Sequence, residues 1–151
     1  MKQYVLDANA VMRYLSNGLG AEKVAVLIHK ATSGEARLLI SVINWGEALY
    51  SLAKLAGLSK ATADLKSLGI FIESVAADEV LAEAAATLKF KYKMGSADTY
   101  AAALALQKGA TLVTADPEFV KLGKQLRVLA LPRHSAYSAL TPPAVAPRGS
   151  H

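Results

Sequence analysis

Short apolar runs alternate with longer amphipathic segments along this chain. Five runs have the length and the Val, Ile and Leu content of buried strands: residues 4–6, 37–42, 70–72, 111–114 and 128–131. Between them, apolar residues recur at helical spacing, over residues 21–31, 43–56, 59–69, 78–93 and 96–108, with a shorter helical region after Asp7. This alternation predicts an α/β fold in which helices cover both faces of a mainly parallel central β-sheet.

Local signals predict where several helices begin and which face each one buries. Ser59 and Ser96 are placed to cap the helices that follow them, and Asp116 followed by proline is a typical helix start. The helix at 43–56 has one apolar stripe, formed by Trp45, Leu49, Leu52 and Ala56. Asn44 and Glu47 lie off this stripe, and a surface position is the default expectation for Glu47.

Composition narrows the class of protein. The chain has 151 residues, 53% of them hydrophobic, and it has no cysteine. This size suits one domain, and the composition excludes intrinsic disorder, a disulfide scaffold and a cysteine-based zinc site. No apolar run is long enough to span a bilayer, and Asp7 interrupts any secretory pattern at the N-terminus. We therefore expect a soluble cytoplasmic protein that does not bind membranes.

The C-terminal residues differ from the rest of the chain. Residues 140–151 are rich in proline and lack periodicity, and PRGSH at 147–151 is similar to an expression-vector remnant. We expect one domain at residues 1–133 and a C-terminal tail at 134–151. The tail carries no part of the functional argument.

Net charge hints at a polyanionic partner without requiring one. The chain has 17 basic and 12 acidic side chains, a net charge of +5, and a pI of about 9.5. Net charge affects solubility and association rather than fold, so a protein without an acidic partner remains equally compatible. The positions of the twelve acids are more informative.

Three acids lie where strands end or helices begin. Asp7 follows the first strand, Asp116 follows the strand at 111–114, and Asp98 lies in the first turn of a helix. Such positions gather at the carboxyl edge of a parallel sheet, where ligands bind. Asp7 and Asp116 could instead be ordinary helix caps. Asp98 shares a face with three alanines, so its carboxylate is expected to be partly buried and to need a donor, a cation or a raised pKa.

Converging carboxylates repel one another unless a divalent cation lies between them. Sites with oxygen ligands alone suit Mg²⁺, with Mn²⁺ as a possible substitute, rather than structural zinc. Such a metal polarises a phosphodiester and activates the attacking water. The acids therefore suggest phosphodiester chemistry.

Four segments carry a resemblance to a known family: YVLDAN at 4–9, SVINWGEA at 41–48, SADTYAAA at 96–103 and LVTADPEF at 112–119. In this order and spacing, over about residues 3–131, the chain resembles the PIN-domain ribonucleases, especially the VapC-type toxins of toxin–antitoxin pairs. The resemblance implies a PIN-like α/β fold and an Mg²⁺-dependent endoribonuclease. It also implies cleavage of structured RNA to 5′-phosphate and 3′-hydroxyl ends, a homodimer, and inhibition by a cognate antitoxin.

The resemblance also implies roles for individual residues. The catalytic acids are Asp7, Glu47, Asp98 and Asp116. Asp7 and Asp98 match the usual direct metal ligands, Asp116 assists or holds a second ion, and Glu47 acts directly or through water. Thr114 and Asn9 match supporting positions. The chain departs from the family pattern at Gly46, where a bulkier residue is usual, and at Tyr100, where an aliphatic one is common.

Basic side chains near these segments could contact the RNA backbone. Arg13 follows the first acid by six positions, and Lys89, Lys91 and Lys93 alternate with Phe90 and Tyr92 just before Asp98. Alternating basic and aromatic residues can bind phosphates and stack on bases. The same pattern also describes an ordinary solvated helix end. His29, expected to be partly buried, and His134 receive no catalytic role.

Two other functions stay open from the residues alone. A non-catalytic PIN-like module could bind RNA or protein, although all four acidic positions are filled. A phosphatase with Asp7 as nucleophile, of the haloacid-dehalogenase type, would need a second aspartate two residues later, and this chain has Asn9 there. When the four site acids are left out, the chain has 17 basic and 8 acidic residues. This balance predicts a basic surface around one acidic site.

Overall fold

The five predicted strands form a single all-parallel sheet in the computed structural model, which describes residues 1–133. The strands are β1 Lys2–Leu6, β2 Ala36–Ser41, β3 Ile72–Val75, β4 Thr111–Thr114 and β5 Val128–Ala130. Their order across the sheet is β3-β2-β1-β4-β5. The expectations for the tail and for His134 lie outside the described residues.

Helices cover both faces of the sheet, as the sequence predicted. Six α-helices and one 3₁₀ helix lie within residues 1–133: α1 Ala8–Leu15, α2 Ala21–Thr32, α3 Val42–Ala56, α4 Leu58–Leu68, α5 Glu79–Tyr92, α6 Ser96–Lys108 and the 3₁₀ helix Pro117–Gln125. Successive residues of each strand serve opposite cores. Tyr4 and Leu6 pack with α1 to α4, whereas Val5 packs with α5, α6 and the 3₁₀ helix.

The strand order creates a switch point between β1 and β4. The chain runs from β1 outward through β2 and β3, then returns to pair β4 with the other side of β1. At such a reversal the connections leave in opposite directions, so a crevice opens beyond the carboxyl ends of the two strands. Asp7 follows β1 and Asp116 lies two residues after β4, which places both acids at this crevice.

The buried face of α3 is rotated about the helix axis by about one residue from the predicted apolar stripe, and only Leu52 belongs to both. The buried residues of this helix are Asn44, Ala48 and Leu52. Trp45 and Leu49 only border the core, and Ala56 is exposed. The reason is that α3 packs against α1 and α6 as well as α4, so its central contact line differs from its most apolar one. Asn44, which lies off the predicted apolar stripe, is therefore 1% exposed.

Several element starts also differ from the sequence prediction. Neither Ser59 nor Ser96 caps a helix, because Gly57 and Gly95 occupy the two N-cap positions without a side-chain bond. Gly57 has a φ of 91°, which lets α4 follow α3 almost directly. The third strand begins at Ile72, since residues 70 and 71 form the turn that leaves α4.

His29 on α2 is exposed, whereas the sequence analysis predicted that it is partly buried. Within residues 1–133 no helix combines the length and the apolar character needed to cross a membrane.

Candidate active site

The four predicted acids line one pocket at the switch point. The pocket has a volume of about 340 Å³ and lies at the carboxyl ends of β1 and β4. Its walls also contain the predicted Asn9 and Arg13. The lining residues are Asp7, Ala8, Asn9, Met12, Arg13, Glu47, Ser51, Asp98, Ala115 and Asp116. Residues from four distant parts of the chain thus meet where the parallel topology directs them.

Asp7 is both a helix cap and a member of the pocket. It is 4% exposed, and its Oδ1 accepts a 2.9 Å hydrogen bond from the backbone N–H of Ala10 in α1. Its Oδ2 accepts a hydrogen bond from the hydroxyl of Thr114. Burial raises the pKa of Asp7 to about 6, although both hydrogen bonds act to lower it. The capping and functional interpretations are therefore compatible, because one carboxylate has oxygens for both.

Thr114 connects the ends of the two central strands. Its side chain is 1% exposed and donates to Asp7, while its Oγ1 accepts a 2.9 Å hydrogen bond from the backbone N–H of Asp116. Asp116 in turn caps the 3₁₀ helix, since its Oδ1 accepts from the N–H of Glu118 at 2.8 Å. One hydroxyl thus holds two site acids in register.

Asp98 is partly buried in the first turn of α6, as its alanine-rich face predicted. Ala101, Ala102 and Ala105 are buried beneath it, each at most 1% exposed. Burial is the main reason that the pKa of Asp98 rises to about 7. A hydrogen bond with Glu118 and the negative charge of Asp116 raise it further.

Glu118 is a site residue that the sequence analysis missed. Carboxylate oxygens of Asp98, Asp116 and Glu118 all lie within 4.8 Å of one another. The N–H of Gly95 donates to Glu118 at 3.3 Å and, together with the hydrogen bond from Asp98, lowers the pKa of Glu118. The signal was present in the segment LVTADPEF, where Glu118 follows Asp116 by two residues in the first turn of a helix.

The acidic groups fit a divalent cation. The donors are carboxylate oxygens only, which hard cations such as Mg²⁺ and Mn²⁺ prefer. Among residues 1–133, no lysine or arginine forms a salt bridge with Asp7, Asp98 or Asp116, and the ammonium of Lys121 approaches Glu118 only to 3.5 Å. Neighbouring negative charges therefore add to the burial that raises the pKa of Asp7 and Asp98. Asp7 lies outside the group of three within 4.8 Å, although it lines the same pocket.

Glu47 and Asn44 approach the site from α3. Glu47 is exposed, as the sequence suggested, and it nevertheless lines the pocket. Asn44 donates from Nδ2 to the carbonyl oxygen of Ala97 at 3.1 Å, while its buried Oδ1 has no partner. Gly46 between them is exposed, and a Cβ there would meet nothing within 4 Å, so the space admits the bulkier residue of the family pattern.

The predicted basic residues divide into two groups. Arg13 lines the pocket, and its Nη1 donates to the carbonyl oxygens of Leu19 at 2.8 Å and Pro132 at 2.6 Å. Lys89, Lys91 and Lys93 are exposed and do not line the pocket. Lys89 donates to the Ser96 hydroxyl at 2.7 Å, at the start of the helix that carries Asp98. Of the four predicted basic residues, Arg13 is therefore the one that lines the acidic pocket.

Comparison with known proteins identifies the fold. Residues 4–125 match the PIN domain family model. The structure of VapBC2 from Rickettsia felis bound to a promoter DNA fragment is similar, with 18% identity, a TM-score of 0.70, and coverage of 85% of this chain and 98% of that one. DNA-bound VapBC from Salmonella typhimurium is also similar, with 19% identity and a TM-score of 0.68, and the match covers 86% of this chain and 98% of that one.

A third similar structure is VapC20 of Mycobacterium tuberculosis, described as a sarcin–ricin loop cleaving toxin. Its identity is 17%, its TM-score is 0.62, and the match covers 80% of this chain and 95% of that one. No curated protein matches the sequence. At these low identities the structural likeness establishes the fold, and the chemistry must be argued from the pocket.

Proposed function

The chain belongs to the PIN domain family, and we propose that it is a metal-dependent endoribonuclease that acts in the cytoplasm as the toxin of a toxin–antitoxin pair. The observation that supports this most is the pocket in which four acids meet. Two of them, Asp98 and Asp116, have carboxylate oxygens within 4.8 Å of each other and of Glu118. The similar structures include toxin–antitoxin complexes, which supports a protein antitoxin as partner.

We assign Asp98, Asp116 and Glu118 as residues that would hold Mg²⁺ or Mn²⁺, and Asp7 stays the further ligand that the family pattern implies. A bound divalent cation would offset the repulsion among the carboxylates and polarise the scissile phosphate. The chain itself provides positioning. Thr114 and the N–H of Ala10 orient Asp7, so the carboxylate does not need to reorganise when a substrate arrives.

The charge distribution favours a nucleic acid as substrate, and the family resemblance favours RNA. The phosphate backbone must approach a pocket of four acids, so cations beside the pocket are required to draw it in. Arg13 is positioned to contact a phosphate at the pocket, with its guanidinium braced by two carbonyl oxygens. Lys89, Lys91 and Lys93 would extend the contact along a structured RNA, beside the exposed ring of Phe90. A homodimer would place two such surfaces in one particle.

The test is cleavage of a total RNA pool by the purified protein with Mg²⁺ or Mn²⁺, followed by sequencing of the 5′-phosphorylated ends. Asp7→Asn and Asp98→Asn should reduce cleavage to background, and excess EDTA should do the same. Asp64→Asn is the matched control, because Asp64 lies on the surface of α4 in a salt bridge with Lys60. Full activity in a site variant or in EDTA contradicts the proposal. Metal binding without any cleavage would indicate a non-catalytic module instead.

A further inference from the structure

A second groove lies at the opposite end of the sheet from the acidic pocket. It has a volume of about 540 Å³ and is formed by β1, α2, β4 and β5. Lys2 and Thr111, which begin β1 and β4, belong to it, whereas the acids follow the ends of these strands. At a rise of about 3.3 Å per residue, the two ends of β1 lie roughly 13 Å apart. The lining residues are Lys2, Tyr4, Lys23, Val26, Leu27, Lys30, Thr111, Arg127, Val128 and Leu129.

The rim of this groove is entirely cationic. Lys2, Lys23, Lys30 and Arg127 contribute four positive charges, and no acid lines the groove. None of the four is in a salt bridge among residues 1–133, and every Asp and Glu of the chain lies within that range. Their contacts are with neutral groups: Arg127 donates to the Gly109 carbonyl oxygen at 2.5 Å, and Lys23 to that of Ala130 at 3.4 Å.

Aliphatic side chains form the interior of the groove. Val26 on α2 is 53% exposed and Val128 on β5 is 41% exposed, facing a space bordered by Leu27 and Leu129. Among residues 1–133, β5 is an edge strand that pairs only with β4. A ligand that complements this surface must therefore bring both apolar side chains and negative charge.

We propose that this groove docks an acidic segment with apolar side chains from a partner protein. This inference rests on the proposed function, which makes the antitoxin that partner. A protein segment suits the groove better than RNA, because aliphatic residues give bases no surface for stacking, and the one aromatic ring, that of Tyr4, is only 7% exposed. The chain's own residues 134–151 contain no acid, and a second copy would bring the same four cations.

The position of the groove has a functional consequence. A segment docked there leaves the acidic pocket at the other end of β1 uncovered, so the groove contributes to the affinity of the complex without blocking cleavage itself. Opposite charges across an interface act strongly on the rate of association and make it sensitive to salt. The groove should therefore steer and retain the antitoxin, while free enzyme activity does not depend on it.

The test compares Lys23→Glu/Lys30→Glu with Lys66→Glu/Lys124→Glu, a control of equal charge change at exposed lysines outside the groove. The antitoxin encoded beside the gene is the probe, and binding is measured at low and high salt. We expect the groove variant to lose affinity by at least about tenfold at low salt, mainly through slower association, with RNA cleavage by the free enzyme unchanged. Equal affinity in the two double variants overturns the proposal.

A photo-crosslinking residue in the full-length chain identifies the occupant directly. Val26→p-benzoylphenylalanine should crosslink to the antitoxin, and the same substitution at the exposed Val80 of α5 should not. Crosslinks to RNA, to residues 134–151 or to a second copy overturn the proposal in favour of that occupant. If the wild-type chain cleaves RNA but does not bind the antitoxin, the partner assignment and the groove both fail. If it binds the antitoxin without cleaving RNA, only the proposed nuclease activity fails.

Discussion

The side-chain amide of Asn44 donates a 3.1 Å hydrogen bond to the carbonyl oxygen of Ala97, the residue before Asp98. Asn44 is 1% exposed and precedes Glu47 by three residues on α3. The bond therefore joins the helix that carries Glu47 to the first turn of the helix that carries Asp98. Two acids that are distant in the sequence are held in a defined relative position by a buried amide.

Asn44→Leu should weaken the site more than it weakens the fold. Leucine fills a similar volume and removes the unpartnered Oδ1, so the free energy of unfolding should change by less than about 1.5 kcal/mol. Affinity for Mn²⁺, measured by calorimetry, should fall by about tenfold or more, because the first turn of α6 loses its hydrogen bond to Asn44 of α3.

Thr99→Val provides the matched control for Asn44→Leu. Thr99 is 2% exposed in the same turn of α6, and its hydroxyl donates within the helix to the Ser96 carbonyl oxygen at 2.7 Å. This variant should lose stability and keep its affinity for Mn²⁺. Equal metal affinities in wild type and Asn44→Leu would contradict a positioning role for Asn44.

Thr114→Val should destabilise the protein by about 1–3 kcal/mol. The change removes the donor to Asp7 and the acceptor for the Asp116 N–H, and it leaves both groups unpaired in a buried place. Urea unfolding measures the loss, and Thr114→Ser should restore most of it. Thr111, at the start of the same strand, makes no such side-chain hydrogen bonds within residues 1–133, so Thr111→Val should leave the free energy of unfolding nearly unchanged. An equal loss of stability in Thr111→Val would contradict a specific role for the Thr114 hydroxyl.

Glu118→Gln tests the residue that the sequence analysis missed. Removing this charge should lower Mn²⁺ affinity and cleavage by about 10–100-fold. It should also lower the pKa of Asp98, because the Glu118 carboxylate helps to raise it. Isotope-edited infrared titration of the carboxyl groups follows that pKa. Glu83→Gln on the exposed side of α5 is the control, and a similar loss in both variants would argue against a metal-binding role for Glu118.

Stability without metal should decrease as pH rises from about 4 to about 7. The folded pKa values of Asp7 and Asp98, about 6 and about 7, exceed the ordinary value of 3.8, so the folded state binds protons more tightly than the unfolded chain. This contribution of the two carboxyls to the free energy of unfolding is fully present below their pKa in the unfolded chain. It is lost as pH rises through their pKa values in the folded protein. Because Asp98 and Glu118 share a hydrogen bond, the upper step belongs to the pair.

Calorimetry in EDTA measures this pH dependence of the unfolding temperature. Asp98→Asn should reduce the slope of the curve between about pH 4 and 7, whereas Asp64→Asn should leave it unchanged. Mg²⁺ should raise the unfolding temperature more at pH 8 than at pH 5, since protons and the cation compete for the same carboxylates. A metal effect that is independent of pH would contradict this account.

Local patterns determined much of the fold and the identity of the main acids. The apolar runs predicted all five strands, because a strand that is buried on both faces has apolar side chains at consecutive positions. The ends of two of these strands located Asp7 and Asp116. The resemblance of four short segments named the family that the comparison confirmed. The alanines beside Asp98 predicted its partial burial, because helical periodicity puts them on one face.

Only the tertiary structure decided which face of α3 is central, that Asn44 is buried against α6, and that Glu118 joins the acidic group. These facts depend on how helices pack against two neighbours at once, and amphipathicity within one helix does not specify that. The cationic groove has the same origin. Its four cations share a surface only after the sheet forms, because they come from β1, from α2 and from the residue before β5: Lys2, Lys23, Lys30 and Arg127. Sequence periodicity records burial along one element, whereas sites arise from distances between elements.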